Sequence, residues 1–355
     1  MKQTILLKVD SQQPDLKQVQ TAAKIIRKGG LVAFPTETVY GLGADALNSK
    51  AVLALFKAKK RPLDNPPIVH VENINDVHTL AKQVPPEADT LMKKFWPGPL
   101  TLVFKRSKAV PDVTVAGLDT VAIRMPNHPV ALALIKESGC PIAAPSANLA
   151  GNPSPTSAQH VFTDLNGRID AILDAGPTRI GVESTVLDLG SEPAMILRPG
   201  GTSLEALKNV LGDVKLHPFV VAEKELTVEK ARSPGMKHRH YAPKAPVIVV
   251  EGVIQAVMAT VKSLICDYWM QGKRVGVLAT AETAWAYEAD VVKSLGSRRN
   301  VDGMAANLFR VLREFDEENV DVIIAESVPT EGLGLAVMNR LRKASGYHIV
   351  KVGLP

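Results

Sequence analysis

Lys59, Lys60 and Arg61 stand together at the close of a helical stretch, and PLDNPP follows them directly. Prolines at 62, 66 and 67 turn the chain away from helix, so these cations sit where one element ends and a stiff turn begins. An ammonium or guanidinium so placed makes charge-assisted hydrogen bonds to phosphate or carboxylate oxygens. Arg124 in TVAIRMP and Arg198 in ILRPGG also close apolar runs. Neutral polar groups occupy comparable positions: Thr36 and Thr38 in FPTETVYGLGADA, Ser146 and Asn148 in APSANLAGNPSPT, and Ser184 in GVESTVLDL. Small residues around Ser146 let a ligand approach the main chain, and hydroxyls and amides can bond a phosphate or a ribose. Cations and neutral donors at element ends across one domain suit a cleft for a polyphosphate and a small polar molecule.

Other chemistries find less support. GLGADA (41–46) and GLGLAV (332–337) contain G-x-G but lack the context of a dinucleotide fingerprint, and read as turn glycines. There is no Walker A sequence, so ATP would need another cradle. Ser146 has no base close in sequence and no G-x-S-x-G elbow, which argues against a hydrolase nucleophile. His-Arg-His at 238–240 lacks a third metal ligand. Cys140 and Cys266 show no metal spacing and fit a reducing cytoplasm. The sequence has no apolar run long enough for a membrane span, and MKQTILLKVDSQQPD lacks the features of a secretory signal. A net charge of +6 and a pI near 9.1 favour an anionic partner such as a nucleotide or RNA.

These residues must be positioned by a mixed α/β arrangement. Helical spacing runs from Leu16 to Arg27, over 49–60 with Ser49 as N-cap and Pro62 as stop, and through PVALALIKESG, closed by Gly139. Short apolar strands are predicted at LVAF, PPIVHV, LTLVFKR, TVAIRMP, PIAA, DAILD, STVLDL and AMILR. Composition then changes. A domain over 1–214 gives way to a basic linker over 215–245, which includes EKARSPGMKHRHYAPK, and to a second domain over 246–355. The last part alternates strand and helix, the pattern of a smaller Rossmann-like domain with a parallel sheet.

Taken in order, PTETVYGLG, Lys59-x-Arg61, NPPIVH, Ser146-x-Asn148 and ESTV…RPG resemble the YrdC-type threonylcarbamoyl-AMP synthases across roughly residues 15–205. HRHYAP and GLGLAVMNRLRKAS resemble the longer, two-domain members of that family. Lys60 stands where glycine is usual, and Pro67 where leucine is usual. The resemblance implies a twisted mixed-sheet YrdC-like catalytic domain. It implies condensation of L-threonine, bicarbonate or CO2 and ATP into threonylcarbamoyl-AMP with release of pyrophosphate. That product serves tRNA modification (t6A), through a separate transferase complex.

By the same resemblance, Lys59 and Arg61 are catalytic and hold the triphosphate, with Asn65, Thr120, Ser146, Asn148, Ser154, Arg198 and Tyr241 completing the ATP site. Thr36, Thr38, His70, Arg124, Ser184 and the Ala144 main chain hold L-threonine, with Arg124 on its carboxylate and His70 on its hydroxyl. Mg2+ is expected on the phosphates, with no protein ligand. The linker is expected to fold over the active site as a lid, with Tyr241 touching the nucleotide. A non-enzymatic RNA-binding module is the alternative, although aromatics make up only 5% and no RNA-binding signature appears. A related carbamoyl-adenylate transferase would need Cys-rich fingers, which two cysteines cannot form.

Overall fold

The computed structural model describes residues 3–224 and 240–353. They divide into two compact units. The first comprises 3–150 and 154–220; the second comprises 151–153, 221–224 and 240–353.

The first unit is built on strands β1 (Ile5–Lys8), β2 (Val32–Phe34), β3 (Gly41–Asp45), β4 (Val69–His70), β5 (Leu100–Lys105), β6 (Thr120–Arg124), β7 (Ile142–Ala143), β8 (Ala171–Asp174), β9 (Thr185–Asp188), β10 (Ala194–Arg198) and β11 (Val214–Leu216). They form one mixed sheet of eleven strands in the order β1-β8-β2-β3-β7-β4-β6-β5-β9-β10-β11. Apolar side chains pack on it from helices Leu16–Arg27 and Pro129–Ser138, which bury Val19, Ile26, Val130 and Leu134. Helix Ser49–Lys59 buries Ala51 and Leu55 against Tyr40, Leu42 and Ala147. The expected strands and helices in this region are present. The sequence reading omitted β1, β11 and the helices Pro86–Phe95, Ala158–Leu165, Leu204–Leu211 and Pro218–Val221, the last within the stretch expected as linker.

Two local expectations are corrected. GLGAD is not a turn but the buried strand β3, antiparallel to β2. A Cβ on Gly43 would lie 2.9 Å from Ile142 Cγ2 and 3.0 Å from Phe34 Cε1, so the glycine answers close packing rather than turn geometry. Helix Ser49–Lys59 is capped by Asn48, not Ser49: the Asn48 side chain accepts from the Lys50 and Ala51 amides. It ends before Pro62, because Lys60 turns left-handed at φ 52° while its amide and that of Arg61 bond back to Lys57 and Phe56. This is a Schellman-type close, in which glycine pays no Cβ penalty. The unusual residue at 60 therefore has a conformational consequence.

The second unit carries β12 (Val247–Gly252), β13 (Val275–Ala279), β14 (Val291–Ser294), β15 (Val322–Glu326) and β16 (Ile349–Val352) in the order β14-β13-β15-β12-β16. Every neighbouring pair is parallel. The runs VIVV, VGVLA and VIIA are apolar throughout because both faces of such a sheet are buried. Helices Ile254–Met270, Val301–Phe315 and Gly334–Ala344 connect the strands, as the alternating pattern implies. At the C-terminal end of β15, buried Glu326 accepts from the Thr280 amide at 2.9 Å, from Thr283 Oγ1 at 2.6 Å and from the Tyr287 hydroxyl. No helix among the described residues is long and apolar enough to cross a membrane.

Lys60 is exposed, so its side chain contributes little and its backbone is strained. Lys60→Gly should raise stability by about 0.5–1 kcal/mol, measured by urea unfolding, with turnover unchanged.

Candidate active site

The motifs meet at one end of the larger sheet, each bonded to the next. Lys59 is 1% exposed, and its ammonium donates to the carbonyls of Ser146 and Asn148. The Ser146 hydroxyl in turn donates to Asn148 Oδ1 at 2.6 Å. Ser146 also bridges Gly41 of β3, and the Ala147 amide bonds the Tyr40 carbonyl at 2.8 Å. Arg61 folds the PLDNPP turn: Nε donates to the Asn65 carbonyl at 2.9 Å, and Nη2 donates to Asn65 Oδ1 at 2.7 Å. That bond identifies the oxygen of the amide. It leaves Asn65 Nδ2 buried and without a partner among the described residues, a spare donor beside Arg61.

The TET segment forms a tight turn. Thr36 Oγ1 donates to the Val39 carbonyl at 2.7 Å, so the 2.8 Å contact with Thr38 has the Thr38 hydroxyl as donor. Thr36 thus closes the turn, and Thr38 keeps oxygen lone pairs for a ligand. The turn is tied to GVES through Ile180 N to Glu37 O at 2.8 Å and Gly181 N to Thr38 O at 3.0 Å. Ser184 shares a 2.8 Å hydrogen bond with Thr101, and Arg198 grips its carbonyl through Nε at 3.1 Å and Nη2 at 3.0 Å. Gly200 lies so close that an added Cβ would stand 2.1 Å from the Glu183 carbonyl oxygen. Ser154 donates to Glu183 Oε1 at 2.6 Å.

Strand register sets the next group. His70 pairs with Arg124 across the parallel β4–β6 ladder, which puts both side chains on one face of the sheet. Arg124 Nε donates to the Gly98 carbonyl at 3.1 Å, and Nη2 lies 2.7 Å from Glu37 Oε2. Arg124 and Glu37 are 4% and 3% exposed, so this is a buried ion pair. Removing either partner would strand a charge at a cost of about 3–5 kcal/mol. The Ala144 amide is used by the Ile68 carbonyl at 2.8 Å, so any main-chain contact it offers a ligand is through its own carbonyl.

His70 is 3% exposed, and burial, with Arg124 beside it, pushes its pKa down to about 3. The ring is neutral at working pH. Nδ1 lies 3.2 Å from the Ile68 carbonyl, where it serves as the donor, and this makes Nε2 an acceptor.

Thr120 stands apart from this group. Thr120 begins β6, four residues from Arg124 and about 13 Å away on the same face. It lines a hollow of about 280 Å3 with Lys105, Asp119 and Asp188. Between it and Arg124 the face is apolar, with Ile68, Val103, Ala122, Val186 and Leu197. Tyr241 belongs to the second unit, where its ring stacks on Phe309 at 5.3 Å and receives Arg340 at 5.4 Å. Part of the expected lid, residues 225–239 with His238 among them, lies outside the described residues.

Sequence reasoning gave Glu37 no partner and assigned no role to Glu183 or Thr101. The signal for Glu37 was visible as a carboxylate between two threonines behind an apolar strand. Thr101 lies inside the strand pattern LTLVF and gives no sign of its partner Ser184.

A family model described as "Telomere recombination", for Sua5, YciO and YrdC proteins, matches residues 24–200. A second, "Threonylcarbamoyl-AMP synthase, C-terminal domain", matches residues 202–346. The threonylcarbamoyl-AMP synthase of Pyrococcus abyssi is 53% identical over 98% of this chain and 100% of its own. That of Bacillus subtilis is 52% identical over 94% of each. The crystal structure of P. abyssi Sua5 complexed with L-threonine superimposes with a TM-score of 0.93 at 53% identity, covering 98% of this chain and 100% of that one. Escherichia coli YciO matches 56% of this chain and 96% of its own, at 27% identity and a TM-score of 0.51.

The depressed pKa of His70 has a measurable consequence. Between about 3 and 6.5 the unfolded chain binds a proton that the folded chain refuses, so stability is present above 6.5 and falls as pH drops towards 3. His70→Gln should flatten this part of the pH dependence of the urea midpoint. An unchanged slope would show that His70 takes up its proton in the folded state.

Proposed function

We infer the reaction from one premise: this chain belongs to the Sua5/YrdC family, in its two-domain form. It is a threonylcarbamoyl-AMP synthase, an enzyme that makes an adenylate from L-threonine, bicarbonate and ATP and releases pyrophosphate. The full-length likeness to a relative whose structure holds L-threonine carries this reading. The one-sided placement of His70 and Arg124 supports it from the geometry.

The amine of threonine displaces hydroxide from bicarbonate, giving a carbamate and water. A carbamate oxygen then attacks the α-phosphorus of ATP, and pyrophosphate leaves with the electron pair of the broken P–O bond. Neither step needs a covalent enzyme nucleophile, so the residues act by binding, orientation and charge. Arg124 takes the threonine carboxylate through a charge-assisted bond, and Thr38 and Ser184 flank it. Neutral His70 accepts from the threonine hydroxyl through Nε2. Valine would leave that buried acceptor unpaired, which penalises it beyond the loss of a contact.

Lys59, Arg61 and Arg198 take the triphosphate, with the spare amide donor of Asn65 and the Ser146–Asn148 loop beside them. The apolar strip from Ile68 to Leu197 suits an adenine, and Thr120 suits the far end of the nucleotide. Cationic side chains cannot ligate Mg2+, so the ion would enter on ATP, held by phosphate and water oxygens, where it would offset charge on the leaving group. Tyr241 and the linker would act as the lid. The setting is cytoplasmic, and the product passes to a transferase that modifies tRNA.

Pyrophosphate release should require L-threonine in the presence of ATP and bicarbonate; release without threonine would reject the synthase. Lys59→Ala should lower kcat/KM by about tenfold to a hundredfold, since it removes charge-assisted bonds and the tether of the 146–148 loop. Full activity in that variant would refute the charge cradle.

A further inference from the structure

Glu37 is a buried carboxylate that the proposed reaction does not use. It lies between Thr36 and Thr38, 3% exposed, and neither of its oxygens makes a hydrogen bond of good geometry among the described residues. Its ion pair is with Arg124, at 2.7 Å. A buried carboxylate with so little support is costly, and a buried pair of this kind adds little stability over apolar residues of the same volume. Its effect is on position. Arg124 is held at Nε by a hydrogen bond to the Gly98 carbonyl and at Nη2 by the opposite charge of Glu37, 2.7 Å away but outside hydrogen-bond geometry. A planar guanidinium fixed at two nitrogens has the direction of its third determined. Nη1 has no protein partner among the described residues.

The pair also sets the local charge. Glu37 neutralises Arg124, so this part of the site is a dipole rather than a bare cation. An amino-acid zwitterion matches a neutral ion pair, whereas a polyphosphate is repelled by the carboxylate. We propose that Glu37 is a positioning and selectivity residue for the amino acid: with the Gly98 carbonyl it aims Arg124 Nη1 at the threonine carboxylate and keeps ATP phosphates off that arginine. This rests on the assignment of Arg124 to threonine and deepens it.

The test compares Glu37→Gln, which keeps the reach and loses the charge, with the wild-type protein. Pyrophosphate release gives KM for L-threonine and for ATP separately. Glu37→Gln should raise the threonine KM by about tenfold and leave the ATP KM within about twofold. Inorganic pyrophosphate should also become a competitor of threonine in the variant. A threonine KM unchanged in Glu37→Gln overturns the proposal, and so does an equal rise in both KM values. Should Glu37→Gln fail to fold by circular dichroism, Glu37→Asp serves for the same comparison, because it keeps the charge one methylene short of Arg124. Failure of the wild-type protein to need threonine would instead remove the synthase reading itself.

Discussion

A cation taken out of water must find acceptors, and the site is organised by how its cations find them. Lys59 bonds the carbonyls of Ser146 and Asn148, Arg61 that of Asn65, Arg124 that of Gly98, and Arg198 that of Ser184. Each grip holds a different loop. The charges that suit phosphate and carboxylate are therefore also the tethers that fix the loops around those ligands. Desolvation makes both roles stronger, because an unmet donor costs more in a dry site. It also explains why a single substitution here would act on shape and chemistry together.

Glycine and strand register bring the tethered loops together. Gly43 lets β3 lie against Phe34 and Ile142, and Gly200 lets the RPGG turn pass over the Glu183 carbonyl. Parallel pairing of β4 with β6 then puts His70 and Arg124 side by side. A shift of one residue in that pairing would send one of them to the other face. Along the same face, Ile68, Val103, Ala122, Val186 and Leu197 separate the polar end from Thr120. The sheet thus offers one face with a charged end, an apolar middle and a polar far end.

The second unit follows simpler rules. Its strands are apolar throughout, its helices return the chain for parallel pairing, and the carboxylate of Glu326 is satisfied by Thr280, Thr283 and Tyr287. Such a satisfied network specifies a structure without calling for a ligand. Arg342 meets Glu251 with two bonds of 2.7 Å, which joins the last helix to β12. Tyr241 is held among Phe309 and Arg340, so this part of the expected lid is anchored by the packing of this unit.

The sequence by itself determined most of the strands and helices, the change of pattern towards a parallel sheet, and the residue types at the element ends. Local periodicity and turn chemistry are short-range, and they are written in consecutive residues. It could not show that GLGAD is a strand, because the two glycines answer neighbours from β2 and β7 rather than a turn. It could not show that β1 and β16 form, because a short edge strand exists only where a distant partner supplies its ladder. Nor could it join Glu37 to Arg124, or Thr101 to Ser184, across more than eighty residues of chain. Those pairs were decided by the tertiary structure alone: a buried charge or hydroxyl takes its meaning from whatever folding brings within hydrogen-bond reach, and no spacing along the chain records that.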